Sequence, residues 1–220
     1  MGLVTVLYYT ANVEEEVFAQ AIRANLLQQM GNLPLVSVSQ KPLPGFGHNI
    51  CVGQHDACYA NEYRQIAMGL AIIKTPYVLT AEADVLYPPK YFSHIPQEGV
   101  LCARYGNVWV HYAHHRTDTP RFYFKGYSDG AQCMDRRWWL QHITKGLHGR
   151  PQWAQAGDPK LPRMTPKTND AHMWTSEEPI ITFKTPHGVR PFTQCKKGIP
   201  PQTTLPFWGD AATVRKEVFL

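Results

Sequence analysis

Apolar and polar positions fall into alternating blocks over the first ninety residues. Leu3-Val-Thr-Val-Leu-Tyr-Tyr-Thr10 is β-branched or apolar almost throughout, the pattern of a strand covered on both faces. Asn12 and Glu15 have the spacing of a helix-capping pair. Val13, Val17, Ile22, Leu26 and Met30 then recur at roughly helical spacing, and Gly31-Asn32 closes the helix. Leu35-Val-Ser-Val-Ser39 predicts a second strand. Together these elements form a β-α-β unit, which implies parallel pairing and a right-handed crossover. Residues 41–48 are a loop rich in Pro and Gly. A second helix is predicted over about 57–74, with Tyr63, Ile66, Ala67, Leu70 and Ile73 on one side, and Thr75-Pro76 ends it. A third strand then begins at Tyr77-Val-Leu79.

That third strand runs into two acids, Glu82 and Asp84, before Pro88-Pro89 stops it. Acids at i and i+2 of an extended chain point the same way. Two carboxylates at the tip of an apolar strand make a hard, oxygen-rich corner, suited to Mg²⁺ or Mn²⁺ and to the phosphates that travel with it. In a doubly wound α/β sheet, ligands sit beyond the carboxyl ends of the strands. Tyr9 and Thr10 end the first strand, so they share that rim with the acids. Tyr9 offers a ring to stack on a base, and Thr10 offers a hydroxyl for the base edge. Arg64, on the helix before the acidic strand, offers a guanidinium for a phosphate. Plain strand filling for Tyr9 and a solvated helix face for Arg64 are the ordinary alternatives. A solvated turn is the ordinary alternative for the acids. There is no Walker loop and no GxGxxG, and Gly45-Phe-Gly47 is too short to count as one.

Beyond residue 90 the pattern changes. Strands are expected over 99–104, 107–112, 121–125 and 180–184, with a short helix over 135–142. Residues 149–167, with four prolines and two glycines, form a long loop. Residues 185–190 turn off the end of the last strand, and 198–220 are Pro-rich and then weakly helical. No internal repeat or low-complexity tract is present.

The opening strand, the helix Asn61-Glu-Tyr-Arg-Gln-Ile-Ala-Met-Gly-Leu70 and Thr75-Pro-Tyr-Val-Leu-Thr-Ala-Glu-Ala-Asp84 together resemble the nucleotide-binding half of a GT-A glycosyltransferase, of the family 2-like kind. Glu82-Ala83-Asp84 stands where that family keeps its Asp-x-Asp motif, with the first acid changed to Glu. The resemblance covers about residues 3–95, with an end point near 177–190. It implies a single α/β domain over 1–220, with a mixed, mostly parallel sheet flanked by helices. About 1–95 would be the nucleotide-binding half and about 96–220 the acceptor half. It implies transfer of a hexosyl or pentosyl group from a nucleotide sugar, UDP-linked by the family's habit, with Mn²⁺ or Mg²⁺ as cofactor. Asp84 would ligate the metal. Glu82 would reach the ribose or a metal-bound water. His187, in the Pro-His-Gly turn after the last strand, would complete the metal set, with His172 as a weaker rival. Glu177 or Glu178, just before that strand, would take the acceptor's proton. Asp129, in Tyr127-Ser-Asp-Gly130, is a further candidate acid.

Charge bears on the acceptor. The net charge is +5, yet residues 101–170 hold eleven Lys and Arg against five Asp, so the remainder of the chain is slightly acidic. Trp109, Tyr112, Phe122, Tyr123, Trp138, Trp139 and Trp153 interleave with that basic set. Cations with rings suit a nucleic acid, and rings suit sugars. The acceptor classes are therefore a modified base in DNA, as in viral DNA modification, or a saccharide or other cell-envelope acceptor. A non-catalytic nucleic-acid-binding module remains the reading from another class. A sugar nucleotidyltransferase would share the sheet, but it needs a Gly-rich basic loop where Thr10-Ala-Asn-Val-Glu-Glu-Glu16 is acidic.

Composition adds the setting. Hydrophobic residues make up 44%, enough for a sizeable core, and no run of eighteen apolar residues suggests a membrane span. The opening lacks the features of a signal peptide, and Val6 breaks a myristoylation motif. Five scattered cysteines predict reduced thiols and a cytoplasmic location, a host's cytoplasm if the protein is viral. Cys51, His55 and Cys58 make half of a zinc site without a second half.

Overall fold

The computed structural model describes residues 2–112, 119–155, 161, 164–167, 170–188, 193 and 195–220. Its main sheet has seven strands in the order β10-β6-β9-β4-β1-β2-β3. These are β1 (Val4–Thr10), β2 (Leu35–Ser39), β3 (His48–Cys51), β4 (Tyr77–Glu82), β6 (Cys102–Tyr105), β9 (Gln132–Asp135) and β10 (His172–Trp174). All pairings are parallel except those of β9, which runs against both β4 and β6. The expected mixed, mostly parallel α/β sheet is therefore present. Every residue of β1 and β2 is buried, which accounts for their unbroken apolar pattern.

Helix α1 (Glu16–Gln29) links β1 to β2, and α2 (Tyr59–Ile72) links β3 to β4. Alternate residues of β1 face opposite layers. Val4, Val6 and Tyr8 pack with Leu26 and Met30, whereas Leu7 and Tyr9 pack with Ile66 and Leu70 of α2 and with Trp139 and Ile143 of α4 (Arg136–Leu147). Gly69 is required where α2 crosses β1, because a Cβ there would lie 2.3 Å from Leu7 Cδ1.

Beside this sheet lies a second one of four strands, β5-β11-β7-β8, made of β5 (Val85–Leu86), β7 (Val108–Tyr112), β8 (Phe122–Gly126) and β11 (Ile180–Lys184). Phe18 and Ile22 of α1 pack between it and α5 (Ala211–Phe219), together with Phe122, Ile181 and Phe183. A short helix α3 (Pro89–Phe92) and the small hairpin β12 (Thr204–Leu205) and β13 (Gly209–Asp210) complete the elements.

Several expectations need correction. Asn12 does not cap α1. Its φ is +52°, and its Oδ1 accepts the backbone N–H groups of Gln40 and Lys41, tying the ends of β1 and β2 together. The helix starts only at Glu16, and Val13 and Val17 are exposed. The expected short helix at 135–142 runs on to Leu147, capped by Asp135, whose carboxylate accepts from Trp138 N at 2.8 Å. Strands β3, β9 and β10 were not expected at all. Part of the long loop 149–167 and part of the turn 185–190 lie outside the described residues.

The acidic strand differs most. Glu82 ends β4, Ala83-Asp84 form a turn, and the chain then enters the second sheet as β5. The two acids thus flank a crossing between sheets and do not lie on one extended run. Phe183 N donates to Asp84 O at 2.7 Å and fixes that turn to the end of β11.

Candidate active site at the sheet switch point

From β1 the chain moves outward to β2 and β3, then returns to place β4 on the other side of β1. This reversal is the topological switch point, the place beside which sheets of this kind receive their ligands. Tyr9 and Glu82 are register partners there.

Glu82 is held from three sides. The Tyr9 hydroxyl donates to its Oε1 at 3.0 Å. Its backbone N–H donates to the Tyr87 hydroxyl at 2.9 Å, and that hydroxyl donates to Gly130 O at 2.6 Å. Gly130 lies so close that a Cβ there would sit 2.1 Å from Glu82 Oε2. Burial pushes the Glu82 carboxyl up to about 7. The neighbouring Asp84 charge adds to that rise, and Lys125, Lys184 and the Tyr9 hydroxyl oppose it. Burial also raises Asp84, against the pull of Lys184 and then Lys125.

Two lysines face these acids. Lys184, the last residue of β11, brings its Nζ to 3.9 Å from Asp84 Oδ2. Lys125, on β8, donates to Ser128 Oγ at 2.9 Å. Burial and then the like charge of Lys184 lower the basicity of Lys125, while Glu82, Asp84 and Asp129 act the other way. Glu14, from the loop after β1, accepts from Thr185 Oγ1 at 2.6 Å. Burial raises the Glu14 carboxyl, as does the Asp84 charge, while the Thr185 bond and His187 lower it. The site therefore gathers Glu14, Glu82, Asp84, Lys125 and Lys184. Sequence reasoning missed Glu14 and Lys184, and counted Lys125 only toward the basic acceptor half.

Other sequence candidates are placed differently. Tyr9 is only 5% exposed, so its ring offers no open face to a base, and its hydroxyl serves Glu82 instead. Thr10 is buried, with its Oγ1 accepting from Asn12 N and its carbonyl from Gln65. The Arg64 guanidinium donates to the carbonyls of Ala60 and Pro151, so it holds a loop and is not turned to a phosphate. Glu177 and Glu178 precede the start of β11, at the end opposite Lys184, and Glu178 accepts from Lys90 N at 3.2 Å. Four residue steps of strand, about 13 Å, separate the two ends. The structure thus keeps this pair of acids away from Asp84. His172, on β10, is three strands from β4.

His187 is exposed on the turn after β11. No group of three His, Cys, Asp or Glu side chains arranged to hold a metal ion occurs among the described residues. The expected set of Glu82, Asp84 and His187 is therefore not assembled, nor is a zinc set at Cys51, His55 and Cys58. His55 stacks on Trp153 with ring centroids 3.7 Å apart. All five cysteines are free.

No family model matches the sequence, and no curated protein matches it. Some solved structures are similar. The bifunctional IspDF from Campylobacter jejuni is 9% identical, with a TM-score of 0.44 over 80% of this chain and 49% of that one. The mannosyltransferase PcManGT from Pyrobaculum calidifontis, solved with GDP-Man and Mn²⁺, is 16% identical, with a TM-score of 0.41 over 68% and 48%. A glycosyltransferase involved in glycosylation of the major capsid of PBCV-1 is 10% identical, with a TM-score of 0.39 over 68% and 69%. The chain spans about half the length of the first two. These likenesses concern the fold.

The basic half is less open than its composition suggests. Arg104 is fully buried, paired with Asp129 at 3.1 Å and donating to Pro166 O at 2.9 Å. Arg136 donates to the carbonyls of Thr75 and Leu70. Trp139 is core, its indole N–H on Met164 O. Arg121, Arg137 and Lys145 are exposed, and Arg116 lies outside the described residues. A cavity of about 610 Å³, lined by Gly99–Cys102, Trp138 and Ala171–His172, opens at the amino end of β6, the rim opposite the acids. The acid it includes, Asp170, is exposed, so that rim lacks the half-buried charges of the switch point. No helix among the described residues is long and apolar enough to cross a membrane.

Proposed function

We propose that this chain is a nucleotide-sugar glycosyltransferase, one domain whose first half holds the donor and whose second half holds the acceptor. One observation carries the reading: a half-buried carboxylate pair, Glu82 and Asp84, faced by two lysines at the switch point of a mostly parallel sheet. A switch point is where an α/β sheet receives a nucleotide. Charges held there away from water act strongly on a polyanion. The bond between the anomeric carbon and the diphosphate oxygen breaks, the carbon bonds to the acceptor oxygen, and the acceptor hydroxyl gives up its proton. Glu14 is the acid at this rim best placed to receive that proton: it is half-buried, raised by burial, and on the same side as Asp84.

A UDP-sugar is the first donor to test, and the acceptors to test are the hydroxyl of a modified base in DNA and a saccharide or other cell-envelope acceptor. The experiment is a panel of radiolabelled nucleotide sugars with and without DNA or oligosaccharides, read for released nucleoside diphosphate and for transfer. One donor should be consumed, and Asp84→Asn should abolish its use while leaving the fold intact. Consumption of none, or equal turnover by the Asp84 variant, would end the proposal. Binding to DNA that weakens steeply with salt and ignores nucleotides would favour a binding module instead.

A further inference from the structure

The nucleotide-sugar reading leaves a physical question. A nucleoside diphosphate leaves with several negative charges, and something at the rim must offset them. The sequence pointed to a divalent ion, but the third ligand is not brought into place among the described residues. What the fold does bring there, beside the acids, is two lysines.

Lys184 and Lys125 come from different strands, β11 and β8: Lys184 lies 3.9 Å from Asp84, and Lys125 is bonded to Ser128, two residues before the Gly130 that abuts Glu82. Neither ammonium hydrogen-bonds a carboxylate. The one lysine–carboxylate approach within 4 Å among the described residues is Lys184 to Asp84, at 3.9 Å, beyond hydrogen-bonding range. An ammonium has three donors, and Lys125 spends one of them on Ser128. The acids, meanwhile, have other partners: Glu82 is bonded by Tyr9, and the nearby Asp129 is paired with Arg104. The two ammonium groups share this half-buried place with the acids but leave most of their N–H donors unused on them. Their backbone is fixed as well: Lys184 follows Phe183, whose N–H is bonded to Asp84 O. On exposed strands, lysines would turn outward to water. Here the Lys184 side chain is only 13% exposed.

We propose that Lys125 and Lys184 form the diphosphate-binding pair of this site, supplying the positive charge that a divalent ion would otherwise bring. The pair binds the two phosphoryl groups of the departing nucleoside diphosphate, and Asp84 orients Lys184 toward them. This rests on the nucleotide-sugar reading and assigns the charge within it.

The test is calorimetric titration of the full chain with UDP and with inorganic pyrophosphate, in EDTA and again with Mn²⁺. The wild type should bind in EDTA within about threefold of its affinity with Mn²⁺. Lys125→Met and Lys184→Met should each weaken binding in EDTA by about tenfold or more and flatten its salt dependence. Lys184→Arg should retain most of it, and the exposed Lys145→Met should change nothing. Circular dichroism and thermal melts identify any variant that fails to fold, and the arginine variant then decides. Wild-type binding that vanishes in EDTA and returns with Mn²⁺, with both methionine variants binding normally, would overturn the lysine assignment and leave the transferase reading standing. Absence of UDP and pyrophosphate binding in both conditions would remove the two together.

Discussion

The hydroxyl of Tyr9 donates to Oε1 of Glu82 across the parallel register of β1 and β4, at 3.0 Å. The ring that was expected to meet a base instead props up an acid. A hydrogen bond to the charged form favours that form, so Tyr9 pulls the Glu82 carboxyl down against its burial. Tyr9→Phe keeps the ring and removes the donor. The Glu82 carboxyl should then titrate at higher pH than in the wild type, with a loss of about 1 kcal/mol of stability. Carbon-detected NMR titration reads the first and urea denaturation the second. A midpoint that stays put would mean the bond is not made.

The raised carboxyl also gives stability a pH signature. In the folded chain Glu82 titrates at about 7, against 4.5 for the unfolded reference. Between those values the folded state keeps a proton that the unfolded state has lost, so this group's contribution to stability falls as pH rises from about 4.5 to about 7 and is flat above. Glu82→Gln removes the titration and preserves an acceptor for Tyr9. The variant should match the wild type near pH 4 and exceed it by roughly 3 kcal/mol at pH 8. Chemical denaturation at both pH values checks the crossover.

Gly130 should tolerate no side chain. Its added Cβ would meet Glu82 Oε2 at 2.1 Å and Cδ at 2.3 Å, and its carbonyl is fixed by the Tyr87 hydroxyl. Gly130→Ala must push the carboxyl away from Tyr9, at about 1–3 kcal/mol of stability. Activity with the donor found in the panel should fall more than tenfold, since the acid leaves its place. Thermal melts and turnover assays measure the two effects, and a fully active Ala variant would contradict the packing.

Asn61 joins α2 to the loop after α4. It is 1% exposed, donates to Asp56 O and Ala154 O at 2.9 Å each, and accepts from Ala154 N at 2.8 Å. Asn61→Ala leaves three backbone groups without this partner and should cost about 2–4 kcal/mol. Cleavage by chymotrypsin after Trp153 should accelerate in the variant. Unchanged proteolysis with unchanged stability would show that water replaces the amide.

The two first strands, the two first helices and the place of the acids were legible because each is an apolar or helical block long enough to show its period. The missed strands lack that signal for physical reasons. Strand β3 is an edge with exposed ends, and β10 is exposed over His172 and Met173. Central β9 hides Gln132, 1% exposed, which reads as polar although it is core. At the site, acids at the tip of an apolar strand stood out. Lys125 and Lys184 did not, since a lysine at a strand end reads as a solvated charge until tertiary packing turns it inward. Arg104 was misread in the opposite sense: it was counted toward a basic surface, yet it is buried against Asp129. Glu14 depends on Thr185, a contact across most of the chain, which no local pattern carries.

The bond from Phe183 N to Asp84 O has a consequence for how the protein is made. Its two ends are roughly a hundred residues apart, and closing so long a loop is slow compared with forming neighbouring β-α-β contacts. On the ribosome, β1 to β4 can pair while Asp84 still lacks its mooring. The turn that carries Asp84 is tied down only after β11 has emerged, so a nascent chain arrested earlier carries the acids without the strand that positions them.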